Sequence, residues 1–384
     1  MNPITRKCDY NRGNVGKNIL LIIDPQNDFI LGNHTPTLGV SNSDKDMERL
    51  ILMLQKNGKR FDEIHVSLDS HTRNHIGHIG FWKTDKEISE QEKRDKVREP
   101  INFNTFYVNK NELNKIYINN LLDGNHAKTK DPKLQSWAYQ YILKMQLHEM
   151  KLSPPCIWPD HCIISDDKGI QNIETYTKGW EVYEPLRDEL DKLKNKVFYH
   201  EKGTNDLVEM YSIFSAEIPF EELIENPDIE NIEYIKNMYR NKIPVDEILN
   251  WHKNTPNINK NYNTEFNEIL FDELMGVNNR VFICGEAKSH CVKKTIQDMI
   301  HNCYNLNQVR RIYYLVDLTS NIDNPDFIKE SNDKFTMMKK CGLNEIYSNN
   351  ICIYLYEKIG FLRSIYNGCN CLIGNNVEKI YLDQ

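Results

Sequence analysis

The feature that most constrains this chain is the run Asn-Ile-Leu-Leu-Ile-Ile at residues 18–23, which stops at Asp24-Pro25. An unbroken apolar run too short for a helix, bounded by turn residues, fits a strand buried on both faces, as in a parallel sheet. Similar runs occupy residues 61–68 before Asp69-Ser70-His71, 197–200 before Glu201-Lys202-Gly203, 280–284 before Gly285, and 311–316 before Asp317. Helical patterns lie between them. Residues 43–57 place Met47, Leu50, Ile51 and Leu54 on one face, and residues 291–306 do the same with Val292, Ile296, Met299, Ile300 and Cys303. Strands alternating with amphipathic helices predict an α/β fold of three layers, a mostly parallel sheet flanked by helices.

Two stretches break the rhythm, at about 83–150 and 217–276, the first charged and Asn-rich, the second patchily helical. They read as insertions in a single domain spanning 16–384, with 1–15 as an N-terminal extension. A separate helical domain is the alternative for the second stretch. At 384 residues the chain buries a core without disulfide staples.

Composition excludes several classes. The net charge of -7 argues against nucleic acid, which calls for a clustered basic surface. The longest clean apolar run, 19–23, falls far short of the roughly 20 residues that span a bilayer. Residues 1–18 lack an apolar signal-peptide region. Ten scattered cysteines with no CxxC pair do not form a disulfide framework. Cys369 and Cys371 form a CxC, a weak metal signal. These features read as a reduced, cytoplasmic protein, with the nucleus also open.

In open parallel sheets, ligands bind outside the carboxyl ends of the strands. Asp24, Asp69, His71, Lys202 and Cys291 all follow such ends. Cys291 lies between a strand end and an amphipathic helix, where a helix N-terminus and a nearby lysine stabilise a nucleophilic thiolate. A buried structural cysteine is the plainer alternative. Asp69 and His71 share a strand face and suit a divalent cation, zinc or else iron or manganese. His75 and His78 follow at once, and a solvated polar loop is the plainer reading. His161 is the candidate ligand from elsewhere.

Together these residues resemble the nicotinamidases of the isochorismatase-like cysteine hydrolases. Asp24-Pro25-Gln26-Asn27-Asp28-Phe29 resembles that family's DxQNDF segment, and Asp69-Ser70-His71 with His75 its DxHxxxH metal segment. Trp158-Pro159-Asp160-His161-Cys162 resembles WPxHC; Lys202-Gly203 with Tyr211-Ser212-Ile213-Phe214 resembles KG…YSxF. Gly285-Glu286-Ala287-Lys288-Ser289-His290-Cys291-Val292 resembles GxAxxxCV, and Asp317-Leu318-Thr319 a D-x-T strand end. The segments keep the family's order and cover about 16–80, 156–216 and 278–345.

The resemblance implies roles. Cys291 attacks the amide carbonyl of nicotinamide. Asp24 takes the thiol proton and passes it to ammonia, and Lys202 orients both and favours the thiolate. The N–H groups of Ala287 and Cys291 form an oxyanion hole beside a cis peptide at Glu286–Ala287. Asp69, His71 and His161, with His75 preferred over His78 by spacing, hold one divalent metal, zinc first. Phe29, Trp158 and Tyr211 wall the ring, and His290 touches substrate. The product is nicotinic acid, as in NAD salvage, and a homo-oligomer is left open. The loop after Cys162, with Ser165-Asp166 and then Gly169, departs from the family's Gly-Thr and Gly. The spacing from Lys202 to Tyr211 is also slightly long. The alternatives are another amide hydrolase of the superfamily, or a hydrolase whose insertions dock a partner.

Overall fold

The computed structural model describes residues 16–32, 35–72, 75–78, 81–84, 101–102, 116–118, 137–138, 141, 144–145, 156–165, 178–225, 258–260 and 263–356. The 1–15 extension, Asp166, Gly169, the Cys369/Cys371 pair and most of the two expected insertions lie outside these residues.

The sheet strands are β1 (Asn18–Ile23), β2 (Glu63–Asp69), β3 (Val197–Lys202), the short edge β4 (Ile258–Lys260), β5 (Arg280–Gly285), β6 (Ile312–Leu315) and β7 (Asn344–Ile346). The helices that pack on the sheet are α1 (Ser43–Asn57), α2 (Glu184–Asp191), α3 (Glu268–Leu274), α4 (Lys293–Asn302), α5 (Pro325–Lys340) and α6 (Ile351–Tyr356), with short helices also at Phe220–Glu225 and Leu306–Val309. The strand order is β4-β3-β2-β1-β5-β6-β7, and every pairing is parallel. The expected α/β class is what the chain adopts.

Alternation along β1 builds the three layers. Leu20 and Ile22 pack with Met47, Leu50 and Leu54 of α1, Leu186 and Leu190 of α2, and Ile351 and Leu355 of α6. Ile19, Leu21 and Ile23 pack on the other face with Leu270, Phe271 and Leu274 of α3, Ile296 and Met299 of α4, and Phe335 and Met338 of α5. All six β1 residues are buried, which is why the run carries no polar alternation.

Helix α1 spans the expected residues, with Asp44 and Asp46 in its first turn and Lys56 in its last, matched to the macrodipole. Three departures have physical causes. Strand β3 runs on through Glu201 and Lys202, because buried carboxylates satisfy the lysine. The helix expected over 291–306 begins as a π turn, Lys288–Val292, and continues as α4 only to Asn302. Helix α5 was not anticipated; it starts at Asn324-Pro325, where the Asn324 side chain accepts from the N–H groups of Asp326 and Phe327.

Both ends of the 217–276 stretch pack into the domain, since Phe220, Leu270, Phe271 and Leu274 are buried. From the 83–150 stretch, buried Trp137 donates its indole N–H to the Leu207 carbonyl, and Tyr141 accepts from the Glu209 N–H. Among the described residues no helix is long and apolar enough to cross a membrane.

Candidate active site and metal cluster

Strand order reverses its direction of growth between β1 and β5, and the reactive residues gather at that switch point. Asp24 follows β1 with φ 45°. Its N–H donates to Ser67 Oγ at 3.0 Å, and the Ser67 hydroxyl donates to Asp24 Oδ1 at 2.6 Å. Lys202 ends β3, fully buried, and donates to Asp69 Oδ1 at 2.9 Å, the Met210 carbonyl at 3.2 Å and Cys291 Sγ at 3.6 Å. Its Nζ also lies 3.0 Å from Asp24 Oδ2. The three expected residues Asp24, Lys202 and Cys291 are therefore together.

Burial alone would strip the charge from Lys202, but Asp24 and Asp69, with Cys291 behind them, hold its pKa well above the usual lysine range. Burial pushes Asp24 up, against the pull of Lys202. The Cys291 thiol is pulled in both directions. Burial raises its pKa well above the ordinary value, Lys202 pulls it down, and Asp24 and Asp69 push it up again. Cys291 sits in the π turn before α4, with Ala287 at the turn's entrance and the Glu286–Ala287 peptide cis, as the resemblance implies.

Beside the triad lie four buried histidines and two buried carboxylates. Asp69 Oδ2 is 3.0 Å from His71 Nε2 and 3.4 Å from His161 Nε2. The far nitrogen of each ring is oriented by a carbonyl: His71 Nδ1 by Gly203 at 2.9 Å, His161 Nδ1 by Pro159 at 2.8 Å. Gly203 has φ 71°, and a Cβ there would come within 2.5 Å of the His71 ring. Ligand-competent nitrogens of His71, His78 and His161 lie within 4.8 Å of one another, and a second group joins His71, His75 and Glu209.

The two rival histidines are distinguished by their hydrogen bonds. His75 Nε2 lies 3.1 Å from the Val208 carbonyl, and its Nδ1 accepts from the Gly77 N–H. Both ring nitrogens are spent. His78 is fully buried with neither nitrogen partnered. An orphaned imidazole facing two others and a carboxylate is what a borderline cation fits, and an N/O donor set of this kind suits zinc, iron or manganese. Burial, with the neighbouring rings, holds both His75 and His78 well below the usual histidine range, so each is neutral.

The expected pocket residues divide into two sets. Phe29 stands edge-on to His161, ring centres 5.4 Å apart. Trp158, Tyr211 and His290 form a second wall. The Trp158 indole donates to the Tyr211 hydroxyl at 3.0 Å, and His290 lies edge-on to both rings. Phe327, which nothing in the sequence marked, closes that wall 4.8 Å from His290. Ser67 and Glu209 were also missed. Ser67 was findable, because Asp69 and Ser67 share a strand face by alternation. Gln26 and Asp28 act as anchors. Gln26 binds both backbone groups of Asp69 and the Trp180 carbonyl, and Asp28 Oδ2 accepts from the Cys162 N–H at 2.7 Å.

The chain is similar to solved nicotinamidases. Yeast nicotinamidase Pnc1p aligns at 17% identity over 86% of this chain and 99% of its own, with a TM-score of 0.45. The PnC1 of L. infantum, solved with nicotinate, aligns at 14% identity over 88% and 95%, with a TM-score of 0.41. The pyrazinamidase of Pyrococcus horikoshii, solved with zinc, aligns at 17% over 86% and 99%, with a TM-score of 0.36. Neither a protein-family model nor a curated protein matches the sequence. Identities and TM-scores this low leave the reaction to be argued from the chain's own residues.

Proposed function

We propose that the protein is a metal-dependent cysteine amidohydrolase that converts nicotinamide and water to nicotinic acid and ammonia. The observation that carries the reading is the buried contact of Lys202 Nζ with Asp24, Asp69 and Cys291 beside a cluster of buried histidines. The order of sequence segments resembling nicotinamidases supports the choice of substrate.

Amide hydrolysis needs a nucleophile, a proton carrier and a site for the oxyanion. Asp24 takes the Cys291 proton as the sulfur attacks the carbonyl carbon. Ser67 occupies Asp24 Oδ1, which leaves Oδ2, beside Lys202, to receive that proton. Proton transfer to Asp24 accompanies attack, with burial raising the thiol's pKa and Lys202 lowering it. Lys202 steadies the negative charge as it moves between Asp24 and sulfur. The N–H groups of Ala287 and Cys291 receive the oxyanion. Asp24 then gives its proton to the departing nitrogen, ammonia leaves, and a thioester remains. Water, deprotonated by Asp24, attacks the thioester; the acid departs and the proton returns to sulfur.

Asp69, His71, His161 and His78 would hold the divalent ion, with His78 replacing the His75 favoured by spacing. When bound, the ion supplies a Lewis-acid anchor for a pyridine nitrogen or a water. Phe29 walls the metal side of the ring, and Trp158, Tyr211 and His290 wall the other, the apolar lining with few polar anchors that a flat substrate needs.

The test is release of nicotinic acid and ammonia by wild type beside Cys291→Ala, with and without chelator. Activity confined to the metal-loaded wild type supports the reading. An inactive wild type that binds one equivalent of metal rejects nicotinamide as the substrate and retains the site.

A further inference from the structure

Glu286 is a charged residue where a buried apolar one would be expected, between the end of β5 and the loop of Cys291. It is fully buried, and its carboxyl, together with the Ser320 side chain, is a hydrogen-bond partner of Asp46 on α1, itself 1% exposed. Glu286 Oε1 and Asp46 Oδ2 both lack a donor. The cation at hand is Arg49, whose guanidinium bonds the other oxygen of Asp46 and, through Nε, the Asp317 carbonyl at 2.6 Å. Two buried carboxylates in contact beside one cation cannot both stay ionised; a proton between them satisfies both orphaned oxygens.

The pair is built into the backbone that carries Ala287. The Gly285 N–H donates to the Leu318 carbonyl, the Glu286 N–H to Ile23, and the Lys288 N–H to Ser320. Glu286 Oε2 closes the circuit by accepting from the Ser320 N–H at 3.1 Å. The carboxyl thus ties both sides of Ala287 to α1 and to the loop after β6. Ala287 packs on the α1 face with Phe282 and Cys284, whereas Cys291 packs on the opposite face.

We propose that Glu286 and Asp46 share one proton, and that this acid pair is a positioning device for the 285–288 segment that presents the Ala287 N–H. Its kinetic consequence rests on the amidohydrolase reading; the shared proton does not. Burial, then Asp46, pushes Glu286 well above the usual carboxylate range, and burial also raises Asp46. The other groups facing the pair are Arg49 on α1, Cys284 on β5, Tyr314 on β6 and Asp317 beyond it. Burial raises the pKa values of Cys284 and Tyr314, so neither adds a negative charge beside the pair. A proton held more tightly when folded gives stability that is lost as pH rises through the raised pKa.

Infrared spectroscopy of the full chain tests this directly. The infrared difference between wild type and each of Glu286→Gln and Asp46→Asn at neutral pH is expected to show one carboxylic-acid C=O band, the contribution of other buried acids such as Glu217 cancelling. Glu286→Gln keeps an acceptor for Ser320 and a donor for Asp46, so it retains kcat and loses the alkaline limb set by the pair. Glu286→Leu is expected to lower kcat roughly 10- to 100-fold with KM little changed. Absence of the band from either difference, or superimposable pH profiles for wild type and Glu286→Gln, overturns the proposal. Should Glu286→Leu not fold, Glu286→Gln alone decides it. A band that Glu286→Gln removes from a protein inactive on nicotinamide upholds the pair and rejects the substrate.

Discussion

Gln26 clasps Asp69 by both of its backbone groups: the side-chain oxygen accepts the Asp69 N–H at 2.7 Å and the side-chain nitrogen donates to the Asp69 carbonyl at 2.8 Å. The same nitrogen donates to the Trp180 carbonyl at 2.8 Å. The glutamine thereby holds the carboxylate that both Lys202 and two histidines address.

Gln26→Ala would remove a side-chain hydrogen bond from each of three buried backbone groups. At about 1–3 kcal/mol for each group left unsatisfied, a loss of up to several kcal/mol is expected. Metal affinity should fall along with stability, although Gln26 touches no ligand nitrogen. Urea unfolding and metal titration of the variant check both; an unchanged affinity would show that Asp69 is held without it.

His78→Ala and His75→Ala separate the two candidate ligands. Loss of a ligand or its orienting partner costs about 10–100-fold in metal affinity. That loss is expected for His78→Ala. His75→Ala should instead lower stability, by removing the bonds to Val208 and Gly77, and retain the ion. Metal content by elemental analysis decides, and the reverse outcome makes His75 the ligand.

Lys202→Met leaves Asp24 and Asp69 facing each other in a dry site. Removing one member of a buried charge network costs about 3–5 kcal/mol. Asp24 should then take up a proton at neutral pH and cease to act as a base. Activity is expected to vanish while the Cys291 thiol stays less reactive than in wild type. Alkylation rates with a small haloacetamide at several pH values measure this; faster alkylation in the variant would contradict it.

Glu217 supplies a pH test away from the reacting atoms. Burial raises its carboxyl from 4.5 to about 7, against the pull of Lys294. A raised carboxylate pKa contributes stability that is complete below the unfolded value and is lost as pH climbs through the folded one. Wild type should therefore weaken between pH 4.5 and 7 by up to ~3 kcal/mol relative to Glu217→Gln. Urea midpoints at pH 5 and 8 report the difference, and parallel curves for the two proteins would refute the assignment.

Phe327→Ala tests the aromatic wall. Opening the ring cluster around His290 should raise KM for a flat aromatic amide with little change in kcat, the signature of lost uniform binding. A fall in kcat at constant KM would place Phe327 in support of the nucleophile loop instead.

The central strands and Asp24, Lys202 and Cys291 were legible because each apolar run ends on a residue that burial alone cannot explain. The choice between His75 and His78 was not legible. Sequence spacing carries no record of which ring nitrogen a backbone carbonyl has claimed, and Val208 lies far from both in the chain. Phe327 reaches the site from the first turn of α5, with no motif to mark it. The pull of Lys202 on Cys291 was legible from their motifs, whereas the burial that opposes it is a tertiary property. The opposite held for Gln26 and Asp28, which stood out as motif letters and turned out to be braces for their neighbours.

Asn18 and Arg280, paired in register across β1 and β5, are 262 positions apart. The central strand must therefore wait, one edge open, until most of the chain has left the ribosome. Closure across such a separation is slow, and an unpaired apolar edge is an invitation to aggregate in the meantime. The nucleophile follows β5, so its burial beside Lys202 is among the last events of assembly. Misfolded chains should accordingly betray themselves by a Cys291 that reacts freely, and reagents for exposed thiols would count them.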